Sequence, residues 1–161
     1  MKCLVFSDSH RNTRNMRVAL AKHPDAEAVF FLGDGLSDAE LVATGDTVRA
    51  WLAVSGNCDY EPVFRNSLVK KTEAMTLEGR RIVFTHGDLY GVKYGTGGIL
   101  RLATETSADV ILFGHTHEPC EQYIPTEGGG VYLFNPGSIG SGSYGVILIT
   151  ETGFLPSHGR V

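Results

Sequence analysis

The three cysteines, Cys3, Cys58 and Cys120, are an odd number, lie far apart and form no CxxC pair. That argues against a disulfide framework and a thiolate zinc site, and it fits a reducing compartment. Cationic residues never cluster. The runs Lys70–Lys71 and Arg80–Arg81 are short and read as solvated faces of strands. With 14 basic and 18 acidic side chains the net charge is −4, a poor match for nucleic-acid backbones or acidic membranes. No apolar run approaches a membrane span, and the first, Cys3 to Phe6, is too short for a signal-peptide core. Repeats, low-complexity tracts and long linkers are also missing. The expectation is one cytoplasmic domain over residues 1–161, large enough to bury about two-thirds of its unfolded surface.

What is present recurs. Short apolar runs stop abruptly at polar clusters: CLVF before SDSH, AVFF before LGDG, WLAV before SGNCD, RIVF before THGD, VILF before GHTH and VYLF before NPGS. Continuous runs rich in Val, Ile and Phe suit strands buried on both faces. Ligand sites of such sheets lie beyond the carboxyl ends of the strands.

Helical spacing fills several gaps. Met16, Ala19 and Leu20 follow Asn12 and stop before Pro24. Ser37–Glu40, read as a capping box, opens a second helix that stops near Gly45. Ile99, Leu100, Leu102 and Ala103 mark a third. Strand pairs are expected for Ala74–Leu77 with Arg81–Thr85, Gln122–Ile124 with Val131–Phe134 across a turn at Gly128–Gly130, and Tyr144–Thr150 with Phe154–His158. Together these give α/β layering, two sheets with helices on their outer faces.

Taken singly, each polar cluster fits an ordinary turn. Asp8 could cap a helix, and His10 could be a surface residue. In an extended segment residues i and i+2 point the same way, so Asp8 with His10, and His115 with His117, could also converge on ions. Asp34, Asn57 and His86 carry the same ambiguity. Collectively the balance changes: four of the six histidines, two aspartates and an asparagine stand at the ends of five apolar runs. Such groups brought to one rim need a partner. Carboxylate, imidazole and amide oxygen without thiolate suit Mn2+, Fe, Ni2+ or Zn2+. Seven ligands exceed one tetrahedral site and suit two ions. Two divalent ions less Asp8, Asp34 and a bridging hydroxide leave a positive centre, matched to an anionic phosphate ester.

The ordered series D-S-H, G-D, G-N-C-D, T-H-G and G-H-T-H, from Asp8 to about Ser138, resembles the calcineurin-like metallophosphoesterases. It is most similar to their compact bacterial and archaeal phosphodiesterase branch. The resemblance implies a four-layer αββα sandwich of two mixed β-sheets flanked by helices. It also implies a dinuclear centre, with Mn2+ foremost, and hydrolysis of small phosphate diesters by a metal-bridging hydroxide. Carried over by position, Asp8, His10, Asp34 and His117 hold one ion. Asp34, as bridge, holds the other with Asn57, His86 and His115. Catalytic roles fall on Asn57, Cys58 and Asp59, the last by orienting its neighbours. Much of the superfamily has histidine where Cys58 stands, and relatives often have a second histidine where Asp88 stands. Arg11 and Ser138 are candidates for substrate contact, set against a solvated arginine and a simple Pro-Gly turn. A rival reading is a protein-interaction scaffold resembling the small retromer subunit. The family also allows homo-oligomers.

Overall fold

Alternation inside the apolar runs explains the architecture. The computed structural model describes residues 1–126 and 129–161. Its elements are β1 (Lys2–Phe6), α1 (Thr13–Lys22), β2 (Ala28–Phe31), α2 (Leu36–Thr44) and β3 (Ala50–Ala53). A short hairpin follows, β4 (Val63–Phe64) with β5 (Ser67–Leu68), then β6 (Thr72–Leu77), β7 (Arg80–Thr85) and α3 (Gly97–Thr106). The chain ends with β8 (Val110–Leu112), β9 (Cys120–Thr126), β10 (Gly129–Asn135), β11 (Ser143–Ile149) and β12 (Phe154–Arg160). One sheet has the order β12-β11-β1-β2-β3 and the other β6-β7-β8-β10-β9.

Cys3, Val5, Ala28 and Phe30 point from the first sheet into a shared core with Ile82, Phe84, Val110, Leu112 and Phe134 of the second. Their neighbours point the other way. Leu4, Phe6, Val29 and Phe31 pack under α1 and α2, while Val83, Ile111 and Leu133 pack under α3. Both faces of the central strands are therefore buried, which is why their sequences are unbroken apolar runs. The result is the expected four-layer sandwich of two mixed sheets. The six runs do not form one parallel set: β1, β2 and β3 are parallel in one sheet, and β7, β8 and β10 in the other.

The three expected strand pairs form antiparallel, as β6 with β7, β9 with β10 and β11 with β12. Of the turn expected at Gly128–Gly130, Gly128 lies outside the described residues. Gly129 and Gly130 already belong to β10, opposite Thr126 and Pro125. Among the described residues no helix is long and apolar enough to cross a membrane.

Helix α1 starts as expected, with the Asn12 side chain accepting the Asn15 N–H at 3.2 Å. Helix α2 does not. It begins at Leu36, and no side chain of a capping residue closes its first turn, so Ser37 lies inside the helix. The N-terminal amides of Gly35 and Leu36 donate instead to Asp59 Oδ1, at 2.8 and 2.9 Å. A carboxylate brought from downstream serves the positive end of the helix better than a local hydroxyl.

Lys70 and Arg81 are exposed, as solvated faces would be, but members of both pairs also hold loop ends. Arg81 Nε donates to the Thr106 carbonyl at the end of α3, and Lys71 Nζ to the Gly56 carbonyl.

A buried polar knot ties α1 to β3. Asp46 accepts from Arg49 Nη1 at 3.1 Å and Trp51 Nε1 at 3.0 Å, and Arg49 Nη2 donates to the Leu20 and His23 carbonyls. Asp46→Ala strands a buried guanidinium and an indole N–H, so a loss of about 3 kcal/mol is expected. Denaturant unfolding followed by the fluorescence of Trp51, the single tryptophan, measures it; an unchanged midpoint contradicts the assignment.

Candidate metal centre

The carboxyl ends of β1, β2, β3, β7, β8 and β10 meet at one rim, and hydrogen bonds between their loops hold them there. The Asp8 and Ser9 amides donate to the carbonyls of Gly33 and Asp34, at 3.0 and 3.1 Å. Across the sheets, the His115 amide donates to Asp8 Oδ2 at 3.2 Å, and the Gly114 amide to the His86 carbonyl at 3.0 Å.

Convergence at this rim does not come from extended segments. Asp8, His10, Asp34, His115 and His117 all have φ between 46° and 68°, as does Arg11. For residues other than glycine this left-handed conformation costs on the order of 1 kcal/mol or more each. The side chains thus turn inward through tight left-handed bends, not through strand alternation. Glycine is needed where the bends touch: a Cβ at Gly33 would strike the backbone of Gly56, and one at Gly56 would strike Asp34 Oδ1.

Two groups of side chains able to hold a metal ion result among the described residues. One is Asp8, His10 and His117; the other is Asp34, His86 and His115. In the first, His117 Nε2 lies 3.1 Å from Asp8 Oδ1 and 3.2 Å from His10 Nε2. In the second, His86 Nε2 lies 3.3 Å from Asp34 Oδ2 and 3.0 Å from His115 Nδ1. Asp8 Oδ1 is also 4.0 Å from His86 Nε2, which makes the two groups neighbours. His115 and His117 fall in different groups, the partition the resemblance implies.

Each carboxylate has one oxygen fastened to the scaffold and one turned inward. Asp8 Oδ2 accepts from Ser7 Oγ at 2.5 Å and from the His115 amide. Asp8 Oδ1 is buried and has no hydrogen-bond partner among the described residues. Asp34 Oδ1 accepts from the Cys58 amide at 2.8 Å, leaving Oδ2 toward His86. The Leu32 carbonyl, 2.8 Å from His86 Nδ1, can only accept. Nδ1 therefore carries a proton, and Nε2 is the nitrogen turned to the centre, the one a bound cation would take.

These contacts set the charges. Burial opposes ionisation of Asp34, but the His86 ring and the Cys58 amide outweigh it and hold its carboxyl well below the usual range. Burial pulls the His86 pKa down, while its bond to Asp34 and the charges of Asp8 and Asp34 raise it above the ordinary value. Burial, then the charge of His86, lowers His115. A buried, unpartnered carboxylate oxygen facing imidazole nitrogens is a donor set suited to hard or borderline divalent cations.

The remaining candidates lie around this core. Asn57 and Cys58 are exposed on the loop after β3, with Asn57 Nδ2 3.3 Å from Cys58 Sγ. The neighbouring Asp34 carboxylate, then burial, pushes the Cys58 thiol up. Asp59 makes no link to the imidazoles; it accepts the amides of Asp34, Gly35, Leu36 and Gly56 at 2.8–2.9 Å, fastening one ligand loop to the next. The Arg11 amide donates to Asp38 Oδ2 at 2.8 Å while its side chain is exposed. Ser138 is buried, and its hydroxyl donates to the Asp8 carbonyl at 2.8 Å. That bond braces the Asp8 bend and takes the hydroxyl away from solvent. Ser7, Asp38 and the Leu32 carbonyl were not found by sequence reasoning. Ser7 stands beside Asp8 in the SDSH cluster, an available signal; a backbone carbonyl offers none.

Fold and site together fit a metallophosphoesterase-type protein, with two candidate metal-binding groups at one rim of a four-layer sandwich. A family model, the calcineurin-like phosphoesterase superfamily domain, matches residues 1–152, and the chain belongs to that superfamily. A probable metallophosphoesterase of Bacillus subtilis, YsnB, is 33% identical over 139 residues, covering 86% of this chain and 75% of that protein. The phosphodiesterase YfcE of Escherichia coli is 30% identical over 112 residues, covering 67% of this chain and 55% of YfcE. Among solved structures, wild-type Vps29 of Entamoeba histolytica in complex with Zn2+ superposes with a TM-score of 0.73 at 17% identity, over 100% of this chain and 98% of that one.

Proposed function

We propose that the chain is a single-domain, metal-dependent phosphodiesterase acting on small phosphate diesters, with two divalent ions, Mn2+ foremost, held at this rim. The observation that carries the reading is the pair of carboxylates, each with one oxygen fastened and one turned toward imidazole nitrogens. Asp8, His10 and His117 would hold one ion. His86, His115 and Asn57 would hold the second, with Asp34 shared between the two as the resemblance implies. When bound, such a pair supplies a water acidic enough to attack near neutral pH and positive charge to stabilise an in-line displacement at phosphorus.

The chain's own residues do the rest. Leu32 fixes the His86 tautomer, Ser7 and Ser138 hold Asp8, and Asp59 sets the distance between the Asp34 and Asn57 loops. Arg11, exposed next to His10, offers a guanidinium to a non-reacting phosphoryl oxygen. A diester, and not nucleic acid as such, fits the net charge of −4. A pure interaction scaffold has no use for strained left-handed bends that aim carboxylates and imidazoles at a common point, so the enzyme reading is favoured.

By the resemblance, Cys58 takes the position of the histidine that would protonate the leaving group. A thiol is a poorer proton donor there than imidazolium, so esters with acidic leaving groups should turn over best. Cys58→His is expected to raise turnover of alkyl esters at least about 10-fold relative to aryl esters. A leaving-group dependence that stays the same removes Cys58 from that role. The function itself is tested by hydrolysis of a chromogenic bis-aryl phosphate. Turnover that appears with Mn2+ and vanishes on chelation supports it; two bound ions without turnover would favour the scaffold.

A further inference from the structure

We propose that Lys71 and Asp88 form a clamp that sets the spacing between the Asn57 and His86 loops and tunes the divalent-cation affinity of the Asp34–His86–His115 group. This rests on the metal-dependent reading above. Lys71 stands immediately before β6 and touches both loops. Its ammonium donates to the Gly56 carbonyl at 2.5 Å and lies 3.6 Å from Asp88 Oδ2. Its carbonyl accepts from Thr85 Oγ1 at 2.8 Å, and Thr85 directly precedes His86. Next to it, Thr72 Oγ1 lies 3.1 Å from Thr85 Oγ1 and 2.9 Å from the Tyr90 hydroxyl, so the start of β6 is tied to both ends of the Thr85–Tyr90 segment.

The clamp reaches the ligands through short mechanical links. Gly56 is packed so tightly on Asp34 that a single added carbon would collide with its carboxylate. A shift of the Gly56 carbonyl therefore moves Asp34, Asn57 and the Cys58 amide together. On the other side Asp88 is two residues from His86. Its carboxylate is only 15% exposed, and Oδ1 is buried without a hydrogen-bond partner among the described residues. Lys71 is the cation that compensates this charge, and without it a largely desolvated carboxylate sits beside the ligands. Lys71 and Asp88 are positioning residues: they hold the loops that carry the ligands.

The test is calorimetric titration of Mn2+ into metal-stripped protein. Wild type is expected to show two sites. Lys71→Met should weaken one of them about 10–100-fold, the range for groups that orient metal ligands, and leave the other within a factor of about three. Asp88→Asn should weaken the same site, and the double variant should be no worse than the poorer single one, since the pair acts as a unit. Lys71→Arg, which keeps the charge and a donor, should recover most of the affinity. In a His115→Ala background Lys71→Met should have no further effect. Melting of the metal-free variants close to wild type would separate the effect from general destabilisation. Two wild-type-like sites in Lys71→Met, or equal weakening of both, overturns the clamp. A wild-type protein that takes up fewer than two ions overturns the parent reading, and the clamp with it.

Discussion

Asp34→Asn is expected to lower kcat/KM for a bis-aryl phosphate by roughly 1,000-fold, equivalent to about 4 kcal/mol of transition-state stabilisation. The substitution keeps the shape of the side chain. Its carbonyl can still accept the Cys58 amide where Asp34 Oδ1 does so at 2.8 Å. What is lost is the charge, together with the oxygen facing His86 Nε2 at 3.3 Å. An amide NH2 in that place points hydrogens at His86 Nε2 and at any cation between them. Because the scaffold bond survives, the variant should fold. Its metal-free melting temperature should stay within a few degrees of wild type while Mn2+ binding falls. Steady-state kinetics beside a thermal melt checks both halves, and retained activity in a folded variant contradicts the role given to Asp34.

Asp59→Ala should act on the fold and the site at once. Four amides converge on this carboxylate, from Asp34, Gly35, Leu36 and Gly56. Alanine leaves all four donors without an acceptor, including the two that open α2. Hydrogen bonds to a charged acceptor are worth more than neutral ones, and orphaned donors carry a penalty of their own. A loss of about 3–5 kcal/mol follows, or roughly 10 °C in melting temperature for a chain of this size. Asp59→Asn should be only a partial rescue, because its amide group meets backbone N–H with N–H. Calorimetry of the three proteins gives the order: wild type highest, asparagine intermediate, alanine lowest. Equal melting points would show that water satisfies these amides and that the loops do not depend on Asp59.

Much of the molecule could be read from its residues, for physical reasons that differ between elements. Strands such as Cys3–Phe6 and Val110–Leu112 are buried on both faces, so burial is written as an unbroken apolar run. Three of the strand pairs could be read from segments flanking short polar stretches, whereas the β4–β5 hairpin was not foreseen. The side chains at the rim were visible for the opposite reason: Asp8, Asp34 and the histidines interrupt apolar surroundings where isolated polar groups are costly.

Other features left no local trace. The cap of α2 comes from Asp59, 23 residues beyond Leu36, so the nearby Ser37–Glu40 pattern drew the capping reading to itself. The left-handed bends at Asp8, His10, His115 and His117 follow from contacts between loops of different sheets, and strand periodicity gives the wrong backbone there. Lys71 looked like any lysine in a pair. Its role depends on Gly56 and Asp88, which only the folded chain brings to it. Ser138 was picked out for its turn motif, yet its hydroxyl serves the Asp8 backbone.

The central claim is that seven side chains at the ends of five strands form one centre for two divalent ions that hydrolyse a phosphate diester. The most direct measurement is a titration of metal-stripped protein with Mn2+, counting bound ions and recording bis-aryl phosphate hydrolysis in the same samples. The account predicts two ions per chain, with turnover rising as the second is bound. Saturation at one ion, or two ions bound with no turnover at any concentration, would contradict it.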